Sequence, residues 1–194
     1  YFCVLIDRQS KTMSKEERRI IDRILHGHDE DFRQLTLPYE KEQLRFILRL
    51  EPNKQEAEEL KQDTLLKAFH RLKDYRGEAT LQTWLLGIAY RTVVSHLRKH
   101  PPRTVYFEDD EKLMAQVEEN DVDESLNLYT EEQIDKLMKA IDMLPPQDRT
   151  VITEFYLEDR PMKEIAQMLD IEYSTAVTRL HRIRKKLYLI IKKM

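Results

Sequence analysis

Five polar side chains near the carboxyl end, Thr175, Thr178, Arg179, Arg182 and Lys186, have the spacing of one helical face. On the other side of the same segment, Ala176, Leu180, Ile183 and Leu187 follow at intervals of four, three and four, an apolar stripe. Hydroxyls and guanidiniums read base edges through hydrogen bonds and hold phosphates through charge. The chemistry on offer is recognition of duplex DNA rather than catalysis. A basic helix face is often only a solvated one, so the preceding residues decide the matter.

Those residues supply a support. Met162 to Leu169 reads as a short helix with Ile165, Ala166 and Leu169 on one face. Asp170-Ile171-Glu172 has room only for a turn. From Tyr173, with Ser174 beside it, the basic helix begins. Together they form a helix-turn-helix, the arrangement that lays its second helix in a major groove.

Glycine is scarce, with 3 in 194 residues, and long runs are rich in Leu, Glu, Lys, Gln and Arg. Such composition favours helix throughout, so an all-α chain is expected. The net charge of −3 opposes nucleic acid at first sight. The signs are segregated, however. Acid gathers in Glu108-Asp109-Asp110-Glu111 and in Glu118, Glu119, Asp121, Asp123 and Glu124, while base gathers over 91–103 and 179–193. Surface fields are local, so this distribution outweighs the total.

A single cysteine, Cys3, excludes an internal disulfide framework and fits a reducing cytoplasm. No apolar run approaches the ~18 residues of a membrane span. Residues 1–12 lack a signal peptide's basic start, and a helix-like run opens only at Met13, so they are read as a leader of doubtful origin. His96 and His100 have the i, i+4 spacing of a metal pair but no third ligand in the nearby sequence. His26-Gly27-His28 lies at a helix end, where histidine caps carbonyls. With no glycine-rich phosphate loop either, no cofactor, metal or enzymatic activity is expected.

Ser14 is a candidate N-cap for a helix bearing Ile20, Ile21, Ile24 and Leu25, and Gly27 ends it. Pro38 interrupts the helical pattern over 31–50, leaving two helices or one bent one. Over 54–72, Ala57, Leu60, Thr64, Leu65, Ala68, Phe69 and Leu72 form an inner face. Thr80 or Thr83 starts the next helix, which Pro101-Pro102 stops. Beyond lies an acidic, weakly periodic stretch. Near Thr130 a new apolar repeat begins with Ile134, Leu137, Met138, Ile141 and Leu144. The expectation is two small helical domains, 13–100 and 130–194, joined by an acidic linker over 101–129, the C-terminal domain being the helix-turn-helix.

Taken in order, three stretches resemble the extracytoplasmic-function group of sigma-70-type RNA polymerase sigma factors. They are Glu56 to Asp63, then Tyr75-Arg76-Gly77 with Thr83 to Ala89, then Leu144-Pro145-Pro146 with Lys163 to Ala166 and Thr178 to Arg182. The resemblance spans roughly Ile20 to Leu189. It implies a non-enzymatic initiation factor that directs core RNA polymerase to promoter DNA and assists its opening. Glu56, Glu58, Glu59, Gln62 and Asp63 would offer acceptors to arginines of the polymerase. Tyr75, Arg76, Trp84, Tyr90, Arg91, Arg98 and Lys99 would hold the downstream promoter element, combining stacking with charge. Tyr173, Ser174, Thr175, Thr178, Arg179, Arg182 and Lys186 would read the upstream element. An anti-sigma protein, often membrane-bound, is a further implied partner.

The chain departs from the family pattern at Arg91, where Asn is usual, and at Ser95, where Asp is usual. It departs again at Val177, where a base is usual, and at Asp170, where Gly is common. Asp enters the left-handed region more readily than most residues, so the turn tolerates Asp170. The competing expectation is a stand-alone helix-turn-helix regulator that binds duplex DNA without polymerase.

Overall fold

The computed structural model describes residues 13–100, 114–117, 122, 126 and 130–194. The leader over 1–12, the Pro101-Pro102 stop and most of the acidic stretch lie outside the described residues. Every regular element among the described residues is helical, as composition predicts. None of these helices is long and apolar enough to cross a membrane. The chain divides into two compact units, one holding Tyr1–Val93 with Gln167–Leu169, the other Val94–Ala166 with Asp170–Met194.

In the first unit, α1 spans Lys15–Leu25. Its start is a capping box: Glu17 N–H donates to Ser14 Oγ at 3.1 Å, and Ser14 N–H donates to the Glu17 carboxylate at 2.6 Å. Gly27, with φ 97°, ends the helix and lets His28 N–H reach the Arg23 carbonyl at 3.1 Å. His26 Nδ1 lies 2.6 Å from the Asp22 carbonyl, the capping role its position suggests. Pro38 does break the next run. Helix α2 (Asp31–Thr36) ends in a 3-10 turn, Leu37–Tyr39, before α3 (Glu40–Leu50). Asn53 caps α4 (Lys54–Arg71) through the amides of Gln55 and Glu56. Thr80 accepts from the Thr83 amide at 3.1 Å at the start of α5 (Leu81–Lys99), so Thr80 rather than the buried Thr83 is the cap.

One core cluster joins α1, α2, α4 and α5: Ile21, Ile24, Leu35, Ala68, Leu72, Leu81, Leu85 and Ile88. Each buried aliphatic chain contributes about 1.5–3 kcal/mol, more than any local propensity, so packing orders helices this short. At its rim the Tyr39 hydroxyl donates to Glu17 Oε1 at 2.6 Å. Burial alone would raise the Glu17 carboxyl. Hydrogen bonds from Tyr39 and Ser14 outweigh it and hold the group below its ordinary 4.5.

In the second unit, α6 spans Glu131–Asp142, and Thr130 and Gln133 form another capping box at its start. Ile141 and Leu144 are buried, but Ile134 and Met138 remain 48% and 43% exposed. The apolar repeat read from sequence therefore faces the core only in its second half. Pro146 occupies the first position of α7 (Pro146–Tyr156), where its missing N–H has no helical partner to lose. Helices α8 (Met162–Leu169) and α9 (Tyr173–Lys193) complete the helix-turn-helix. Ile183, Leu187 and Ile190 of α9 are buried where it packs on α6 and α7.

Two non-glycine residues set the turns. Asp159 (φ 50°) swings the chain after α7 so that Arg160 Nε reaches Glu154 at 2.9 Å and Arg160 Nη1 reaches Glu164 at 3.4 Å. Asp170 (φ 58°) takes the left-handed conformation foreseen for it, and Ile171 N–H donates to the Ala166 carbonyl at 3.0 Å. Within the stretch read as an acidic linker, Met114, Val117 and Val122 are buried with Leu189 of α9. A free tether would leave those apolar side chains in water; here they cover the last turns of α9.

Candidate nucleic-acid interface

The outer face of α9 meets the start of α7 in a groove of about 480 Å³. Ser174, Thr175, Thr178, Arg179 and Arg182 line one wall, with Pro145, Gln147 and Asp148 opposite. Ser174, Thr175, Thr178 and Arg182 are exposed, Arg179 is half-buried, and Tyr173 stands 58% exposed at the helix start. Small Ala176, fully buried beneath them, lets α9 seat closely. The Thr178 hydroxyl donates to the Ser174 carbonyl at 2.9 Å, which leaves its oxygen as an acceptor toward the groove. Five of the seven residues expected to read an upstream element thus line this groove at accessible positions, and Tyr173 is exposed at the helix start.

Lys186 also lines the groove, but from a buried position. Only 5% of the residue is exposed, and its ammonium sits 2.5 Å from Asp148 Oδ2. Spacing places Lys186 on the polar face, but that face turns inward at the fourth helical turn, where α7 covers it. Here it is the buried counter-ion of Asp148. Gln147 and Asp148 were missed by sequence reasoning. Their only signal was a position just after Pro145-Pro146, where a helix begins.

The residues expected at a downstream element separate in the same way. Arg76, beside the left-handed Gly77 (φ 74°), is exposed, as are Arg91, Arg98 and Lys99 along α5. Tyr90 is 7% exposed and inside the core, so it cannot offer its ring to a base; this corrects the expectation. Trp84 is partly buried against the α1–α5 core and tilted on Tyr75, ring centroids 5.1 Å apart. The Tyr75 hydroxyl donates to the Ala79 carbonyl at 2.8 Å. Burial and the nearby Glu17 charge push that hydroxyl up to about 12. The pair forms one aromatic ledge beside Arg76 rather than two separate platforms.

On α4, Glu59, Gln62 and Asp63 are exposed on one stripe, continued by Leu66 at 58% exposure. Glu58 is half-buried and paired with Lys61 at 2.8 Å. Glu56 lies in the first turn, 3.4 Å from the capping Asn53. The accessible acceptors are therefore Glu59, Gln62 and Asp63, with an apolar spot at their end. His96 and His100 meet ring to ring, centroids 4.9 Å apart.

Comparison with known proteins agrees with this geometry. The family model for sigma-70 region 2 matches residues 37–101, and that for sigma-70 region 4 matches residues 134–187. The RNA polymerase sigma-H factor of Pseudomonas aeruginosa is 27% identical over 176 residues, covering 88% of this chain and 91% of its own. The ECF RNA polymerase sigma factor SigW of Bacillus subtilis is 25% identical over 177 residues, covering 88% and 94%. Among solved structures, CnrH in complex with the cytosolic domain of CnrY shares the fold at a TM-score of 0.59, with 18% identity over 91% of this chain and 97% of that one. The sigma factor RpoE in complex with the anti-sigma factor NepR, from Bartonella quintana, does so at 0.57, with 21% identity over 84% and 98%. With both regions matched in order and relatives aligned along nearly the whole length, the chain belongs to the sigma-70 family of RNA polymerase sigma factors, in its extracytoplasmic-function group.

Proposed function

We propose that this sigma factor divides its task between two domains. The helical domain over 13–100 binds core RNA polymerase and the downstream promoter element, and the domain over 130–194 reads the upstream element. The observation that carries this is the groove on α9, where hydroxyls and two guanidiniums share an accessible wall. Glu59, Gln62 and Asp63 are the acceptors assigned to the polymerase, because exposed carboxylates and amides bind arginine side chains through charge-assisted hydrogen bonds. Arg76, Arg91, Arg98 and Lys99 supply the cations for the downstream element, with Tyr75 and Trp84 as its aromatic ledge.

The factor works in the cytoplasm, where polymerase and promoters meet. An anti-sigma protein is its third partner, as in the RpoE–NepR complex. Linking two weak readers through one chain raises joint affinity by effective concentration, so neither alone needs to hold a promoter. Run-off transcription with core polymerase and a promoter library tests the reading. Specific transcripts should depend on the added chain and disappear with Asp63→Lys through lost core binding. Unchanged transcription without the chain, or no binding to core, refutes it.

A further inference from the structure

An acidic side chain lining a groove meant for a polyanion demands an explanation. Asp148 lies in the first turn of α7 and lines the same groove as Thr175, Thr178, Arg179 and Arg182. Its side chain is 13% exposed, so its charge is only partly screened by water. A bare carboxylate there would repel each phosphate that approached the arginines, and the poor screening would strengthen the repulsion. Lys186 answers it directly. Its side chain, 7% exposed, rises from the fourth turn of α9 to place Nζ 2.5 Å from Asp148 Oδ2. The contact also ties the middle of α9 to the first turn of α7, on the line where those helices pack.

We propose that Lys186 is a positioning residue for DNA recognition: it neutralises Asp148 in the groove, so that a phosphate can approach Arg179 and Arg182. This rests on the assignment of α9 as the DNA reader. Lys186 itself touches no DNA. Its neighbours explain why a lysine serves here. An ammonium on a four-carbon stem can reach the carboxylate from within the helix packing, while the groove wall remains free for planar guanidiniums suited to base edges and phosphates. The pair is thus an internal device of the reader. Its partner, Asp148, was not marked by any sequence motif.

The test uses the full chain with core polymerase and a promoter duplex selected from a random library by the wild-type complex. Binding is titrated against salt. Lys186→Met should weaken binding tenfold or more. The slope of log affinity against log salt should become shallower by about one, because the bared carboxylate displaces a phosphate contact. Adding Asp148→Asn to Lys186→Met should restore affinity to within about threefold of wild type. Should Lys186→Met not fold, Lys186→Gln removes the charge while keeping a donor for the carboxylate, and carries the same expectation.

A purely structural pair would behave otherwise: thermal stability would fall in the single variant, while the affinity of the folded fraction would stay level. Level affinity, or a loss that Asp148→Asn does not relieve, overturns the proposal. Arg182→Ala run in parallel separates the two claims. If it weakens binding and Lys186→Met does not, only the positioning role fails; if neither does, the assignment of α9 fails.

Discussion

Replacing Arg160 with methionine should destabilise the second unit by about 3 kcal/mol. Arg160 Nε lies 2.9 Å from Glu154 Oε2, and the two side chains are 9% and 2% exposed. A pair on the surface would contribute about 0–1 kcal/mol. Breaking a buried pair by deleting one partner costs about 3–5 kcal/mol, since the remaining charge stays desolvated. The lower end applies because the guanidinium retains some solvent contact, and its second partner, Glu164, is 19% exposed at 3.4 Å. The full chain would be unfolded in urea and followed by two signals. Trp84 is the only tryptophan and sits in the first unit, so its fluorescence should keep its midpoint. Far-UV circular dichroism, which sees all helices, should show the second unit melting earlier. Coupling Arg160→Met with Glu154→Leu should recover most of the loss, because no charge is then left buried. A cost under about 1 kcal/mol, or a double variant no better than the single, would refute the claim that this ion pair sets the α7–α8 turn.

Three other expectations follow from the same geometry. Tyr39→Phe removes the strongest hydrogen bond to Glu17 and should cost about 1 kcal/mol. Because Glu17 is held below its ordinary 4.5, that difference is complete above this pH and vanishes as pH falls through the lowered folded value; parallel urea titrations from pH 7 to pH 3 would show it. Asp170→Val forces a β-branched residue into a left-handed turn (φ 58°) and should lower the melting stability of the second unit by about 1–2 kcal/mol, whereas Asp170→Gly should stay within about 1 kcal/mol of wild type. Arg182→Ala, assayed with core polymerase on a sequenced promoter pool, should cost about 1–3 kcal/mol and relax preference at one position; an equal loss on all sequences would mark a phosphate contact instead.

Periodicity made the helices legible because an amphipathic helix writes its buried face at intervals of three and four. Ala57, Leu60, Thr64, Ala68 and Leu72 were placed inward on that pattern and are buried. Caps were legible for the same local reason, as Ser14, Gly27 and Asp170 show. Residues whose surroundings come from distant sequence were not legible. Lys186 and Tyr90 share helical faces with exposed neighbours, yet each of them is buried. Glu154 and Arg160 carry no sequence signal, because only the backbone reversal at Asp159 brings them together. In the acidic stretch, frequent Asp and Glu hid the sparse apolar residues Met114, Val117 and Val122, whose partner Leu189 lies far along the chain.

Occupancy of a promoter duplex by the purified chain, measured with and without stoichiometric core polymerase in the same buffer, tests the central claim most directly. The two-unit reading predicts stable, sequence-selective occupancy only when core is present, and its loss when Arg179 and Arg182 are both replaced by alanine. Tight selective binding by the chain alone, unaffected by core, would contradict it and favour a self-sufficient regulator.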